Sequence, residues 1–135
     1  MGGFKRINLL LIATLSLSIL GYFGEETHAQ QVKTFEGFTV TYSGAEKFAP
    51  YSLRMSNTKA VVNLSNDTGT AWITANMKNS NGVYRGGTTL QRGTRKTFSA
   101  VNAKVNYKYK LGLRKTNNTG GGIVTIKGSW SSSGG

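Results

Sequence analysis

Between Ala103 and Arg114 the chain alternates without a break, with Ala103, Val105, Tyr107, Tyr109, Leu111 and Leu113 separated by Lys104, Asn106, Lys108, Lys110, Gly112 and Arg114. A strand sends successive side chains to opposite faces, whereas a helix would spread these apolar residues around its whole circumference. The spacing therefore predicts a half-buried β-strand with one apolar face, its other face carrying the cations Lys104, Lys108, Lys110 and Arg114. A strand of this kind needs pairing partners and a second layer to cover its apolar side.

The rest of the sequence supplies them. Val124, Ile126, Gly128 and Trp130 alternate with Thr125, Lys127 and Ser129, and Phe38, Val40 and Tyr42 alternate with threonines. Ala60–Leu64, Thr70–Met77, Val83–Leu90 and Lys96–Val101 complete a count of about seven predicted strands. Turn chemistry separates them at Asn66-Asp67-Thr68-Gly69, Asn79–Gly82, Arg92-Gly93 and Lys115–Gly122. The pattern predicts an all-β fold, an antiparallel β-sandwich or small barrel. It also predicts that Ala103–Arg114 pairs with Val124–Trp130 as a hairpin, and that the Asn66–Gly69 turn joins its two flanking strands. Ser131–Gly135, composed only of Ser and Gly, reads as a flexible tail.

The N-terminus follows other rules. Lys5 and Arg6 precede an apolar stretch from Leu9 to Leu20, too short for the roughly 20 residues of a membrane span. Thr27-His28-Ala29 then forms a processing-like end, so residues 1–29 read as a secretory signal peptide and residues 30–130 as a single β domain. The expected location is outside the cell, in solution or at its surface.

From Gln30 onward the sequence has no cysteine and no histidine, and its acids are Glu36, Glu46 and Asp67. Ser-His-Asp triads, Cys-His dyads and zinc sites need residues this segment lacks. Three scattered carboxylates make a poor cation cage or glycosidase pair. The glycine pairs and triplets at Gly86-Gly87 and Gly120–Gly122 lack the spacing of a phosphate loop and read as turn glycines. The expectation is a non-enzyme without metal or cofactor.

Charge carries the strongest functional signal. From Thr68 to Gly135 there are eleven cations and no acid, and nine of the cations fall within the 31 residues from Arg85 to Lys115. A one-signed face draws polyanions by long-range attraction. The expected polyanion-binding residues are Arg92, Arg95, Lys96, Lys104, Lys108, Lys110 and Arg114. Export points to an anionic cell-wall polymer such as teichoic acid, or to an anionic membrane surface. It disfavours nucleic acid, as does the placing of Tyr107 and Tyr109 on the apolar face. Trp72 is out of phase with Ile73, Ala75 and Met77 and shares a face with Thr74 and Asn76, a grouping suited to glycan or membrane contact. Trp130, in phase with Ile126, reads as a core anchor.

An exported leader, a short cysteine-free domain, dense turns and excess Lys and Arg are together similar to small exported bacterial proteins, all-β bacteriocins among them. The resulting expectation is a secreted, non-catalytic protein that binds negatively charged envelope surfaces, with antimicrobial action as one consequence. The alternative is a carbohydrate-binding or extracellular structural module. The oligomeric state is not fixed by the sequence.

Overall fold

The computed structural model describes residues 30–65, 71–117 and 123–135. The segment read as a signal peptide, the turn at Asn66–Gly69 and the glycines 120–122 lie outside the described residues. Every element within them is a strand: β1 (Lys33–Thr41), β2 (Lys47–Leu53), β3 (Ala60–Leu64), β4 (Trp72–Lys78), β5 (Tyr84–Gln91), β6 (Arg95–Phe98), β7 (Lys108–Lys115) and β8 (Ile123–Ser131). They form two antiparallel four-stranded sheets, in the orders β1-β8-β3-β6 and β2-β7-β4-β5.

The inner faces follow the alternation. Ile73, Ala75 and Met77 from β4, Tyr109, Leu111 and Leu113 from β7, Ala60, Val62 and Leu64 from β3, and Ile126 and Trp130 from β8 are buried together. Burying side chains of this size stabilises the fold by about 1.5–3 kcal/mol each. Trp130 reaches from one sheet to the other, where its indole Nε1 donates to the Pro50 carbonyl of β2 at 3.0 Å.

The structure corrects several expectations. The described residues form eight strands, one more than expected, the addition being β2. Pro50 and Tyr51 form an irregularity between Ala49 and Ser52, so the inward residues lie three apart and the period-two signal is lost. β2 is an edge strand, where a residue without an N–H is tolerated. β1 hides its inward Phe35 in the same way, through a bulge before Phe38 at Gly37, whose φ is +67°.

The expected hairpins are the second correction. β7 pairs with β2 and β4, whereas β8 pairs with β1 and β3, so the chain crosses between sheets instead of turning back on itself. The same holds for β3 and β4, which lie in different sheets. Alternation fixes which way a side chain points, but a crossing and a hairpin leave the same pattern. β4 and β5 do form a hairpin, closed by Gly82 N–H donating to the Asn79 carbonyl at 2.9 Å. Gly86 and Gly87 lie within β5 and are not turn glycines; a Cβ on Gly86 would meet the Ser99 carbonyl at 2.4 Å.

The third concerns Ser131–Gly135. Ser131, Ser132 and Ser133 are fully buried. Ser132 N–H donates to Ser52 Oγ at 3.0 Å, Ser132 Oγ donates to the Ser52 carbonyl at 3.1 Å, and Met55 N–H donates to Ser133 Oγ at 3.1 Å. Gly135 N–H reaches the Lys59 carbonyl at 2.8 Å. Continuation of the β8 ladder puts these hydroxyls where each can be satisfied, so a composition that suggests a loose tail instead seals one end of the sandwich. Deleting residues 132–135 should lower unfolding stability by about 2 kcal/mol or more, given roughly 1 kcal/mol per hydrogen bond. Urea denaturation checks this; an unchanged midpoint would mean that the segment is a passive tail.

Candidate functional site

The outward face of the β2-β7-β4-β5 sheet gathers most of the polar and aromatic groups singled out by the sequence. Register places Arg114 beside Thr74, Gly112 between Phe48 and Asn76, and Lys110 opposite Lys78. Lys108 extends the same row of β7 and is exposed. Two lysines directly opposite each other repel. The structure answers with Glu46, whose carboxylate lies over Gly112; a Cβ there would come within 2.8 Å of it. Lys78 Nζ donates to Glu46 Oε1 at 2.5 Å, and Asn76 Nδ2 approaches Oε2 at 3.5 Å. Lys110 Nζ sits 4.3 Å from the Phe48 ring centroid, a cation–π contact. Phe48 lies on the edge strand that sequence reading missed and Glu46 immediately precedes it, which is why neither was foreseen at this site. The lack of a side chain at Gly112 was the one available signal.

Trp72 begins the β4 row and is 43% exposed. Its expected companions are partly engaged within the protein: the Thr74 hydroxyl bonds the Thr116 hydroxyl at 2.8 Å, and the Asn76 amide faces Glu46.

The seven expected polyanion-binding residues do not form one surface. Lys108, Lys110 and Arg114 share the face just described. Arg95 lies opposite Asn63 on the outward face of the other sheet, and Lys96 belongs to the opposite phase of the same edge strand, β6. Arg92 follows β5, and its Nη1 donates to the Thr125 carbonyl at 3.0 Å. Lys104 stands in the β6–β7 connection, not on a strand. β7 begins only at Lys108, because Asn102 and Asn106 adopt left-handed backbone, with φ of 53° and 76°. Lys115 is fully buried in the inward phase, opposite Ile73.

The same connection overturns another placement. Tyr109 is buried, its hydroxyl accepting from Lys104 N–H at 2.8 Å, but Tyr107 is 60% exposed. Val101 and Val105 are exposed beside it, so the loop offers three apolar side chains interleaved with Lys104 and followed by Lys108. Among the described residues no cluster of three or more metal-ligating side chains occurs.

No family model, curated protein or solved structure matches this chain.

Among the described residues Glu46 is thus the carboxylate on the sheet face, and it supplies the counter-charge for Lys78 where that residue meets Lys110. Glu46→Gln should cost about 1 kcal/mol or less, as expected for a partly exposed pair, with the cost shrinking in high salt. Urea melts at low and high ionic strength check this; a salt-independent loss would place the role of Glu46 in packing instead.

Proposed function

We propose that this is an exported, non-catalytic protein that attaches electrostatically to negatively charged cell-envelope surfaces, teichoic acid or anionic lipid, with antimicrobial action as one outcome. The observation that supports the reading is the outward sheet face, where among the described residues Lys78, Lys108, Lys110 and Arg114 meet one carboxylate, Glu46, and Phe48 and Trp72 lie alongside. Cations two residues apart on a strand stand roughly 7 Å apart, a spacing that matches charge along a phosphate polymer or across headgroups. Between the two anionic materials, the exposed Tyr107 with Val101 and Val105 favours lipid, since tyrosine settles at a membrane interface and aliphatic side chains gain by leaving water.

Sedimentation with anionic and neutral liposomes, and with cell walls with and without teichoic acid, tests the reading. Attachment should be confined to the anionic materials and should fall away as salt shortens the Debye length from about 10 Å at 0.1 M to about 3 Å at 1 M. Charge reversal of Lys108 and Lys110 together should weaken it by at least about tenfold, the equivalent of about 1.4 kcal/mol. Salt-resistant attachment to neutral liposomes would contradict the proposal. Exposure of Tyr107 removes one objection to nucleic acid as the polyanion, so a single-stranded oligonucleotide belongs in the same series as a competitor; export continues to favour envelope polymers.

A second reading rests on the exposure of Trp72: the same sheet face stacks on neutral glycan. Here Trp72→Ala should abolish attachment to walls stripped of teichoic acid, and salt should not. Under the electrostatic reading the substitution leaves most of the attachment intact.

A further inference from the structure

Arg54 lies at the other extreme from the solvated cations of the sheet face. It follows β2 and is 2% exposed. Its Nη1 donates to the Ser132 carbonyl and its Nη2 to Asn57 Oδ1 at 3.3 Å, while its Nε is buried with no hydrogen-bond partner. Among the described residues no carboxylate pairs with it. Burial pushes the guanidinium below its ordinary pKa, although an arginine side chain stays charged in proteins. A buried charge held only by neutral acceptors is costly and lacks the partner that folded proteins usually provide.

The surroundings add positive charge. Arg54, Asn57, Thr58, Lys59, Ser99 and Ala100 line a depression of about 270 Å³, several times the roughly 30 Å³ that a water occupies. It lies where the β2–β3 and β6–β7 connections meet, and Arg54 is one of the residues that line it. Asn57, Thr58 and Ser99 are polar residues of the same lining, and Lys59 is a second cationic one.

We infer that this depression is a binding site for one small oxyanion, a carboxylate or a phosphate group, with Arg54 as its principal partner and Lys59 at its rim. The guanidinium fork matches either group in shape. Asn57 would give up its contact with Nη2 as the anion arrives, its amide nitrogen then serving as a donor. Because Nη1 holds the Ser132 carbonyl, the anion also reinforces the serine plug at this end of the sandwich. The site is separate from the sheet face and uses none of its lysines, so it can stand or fall independently of the envelope-binding reading.

The test is thermal unfolding of the protein in chloride, with inorganic phosphate or acetate titrated in at constant ionic strength, together with the Arg54 Nε–Hε resonance. The expected result is a saturable rise in Tm and a shift of that resonance with the same midpoint, for phosphate, acetate or both; the responsive anion identifies the preferred group. Arg54→Met also removes the contact with the Ser132 carbonyl that the fold uses, so Asn57→Asp carries the decisive comparison. Its carboxylate supplies the missing counter-charge from within, and should raise Tm without added anion while weakening the phosphate or acetate response at least tenfold. Lys59→Gln should weaken the response while leaving the fold intact. A response that never saturates, that Asn57→Asp retains in full, or that leaves the Arg54 resonance unmoved would overturn the site.

Discussion

The hydrogen bond from the Trp130 indole to the Pro50 carbonyl joins the two sheets through the interior of the sandwich, and the rest of the structure depends on the packing it marks. Of the successive strands only β4 and β5 pair as neighbours; every other connection leads from one sheet to the other. The sheets are therefore assembled from distant segments, β1 with β8 and β2 with β7. Such non-local pairing has to overcome loop-closure entropy before its contacts are rewarded. With no cysteine to staple it, the domain relies on sealing the inner faces against each other. Trp130 is fully buried between them, and the irregularity in β2 at Pro50 leaves a carbonyl for its N–H.

This inward demand shapes the outward surfaces. Once Tyr109, Leu111 and Leu113 face the core, Lys108, Lys110 and Arg114 must face solvent from a central strand, where Lys110 meets Lys78 across the β4–β7 pairing. The repulsion is moderated by Glu46, which can lie over the strand because Gly112 has no side chain to hold it away. Aromatic rings at Phe48 and Trp72 flank the same surface. A basic face on β2, β4 and β7, with Glu46 as its counter-charge among the described residues, is the physical basis of the envelope-binding proposal.

What the sequence revealed follows from what periodicity encodes. The alternation from Tyr109 to Leu113 identifies the inward face of β7 correctly, and the phase of Trp72 against Ile73 sets it on the face opposite the core, but phase alone does not say whether another segment covers it; the structure leaves it exposed. Farther upstream the same alternation continues through Val105 and Tyr107 with no strand beneath it, because Asn102 and Asn106 turn the backbone to positive φ and leave no mark on hydrophobic spacing. β2 was hidden for the opposite reason, its irregularity at Pro50 and Tyr51 breaking a period that the strand otherwise obeys. Partner choice was invisible, since alternation gives a face and not a neighbour; this is why the expected hairpin of β7 with β8 and the expected single basic surface both failed. Glu46 could not be placed without β2, and the burial of Arg54 and of Ser131–Ser133 depends on tertiary contacts that composition does not record.

The most direct test of the central claim is lysine-selective chemical labelling of the protein, free and attached to anionic liposomes, read residue by residue. The account predicts protection at Lys78, Lys108 and Lys110 on the β2-β7-β4-β5 face, with Lys127 on the other sheet still labelled at its free-protein rate. Protection centred on Lys127, or spread evenly over both sheets, would contradict attachment through that face.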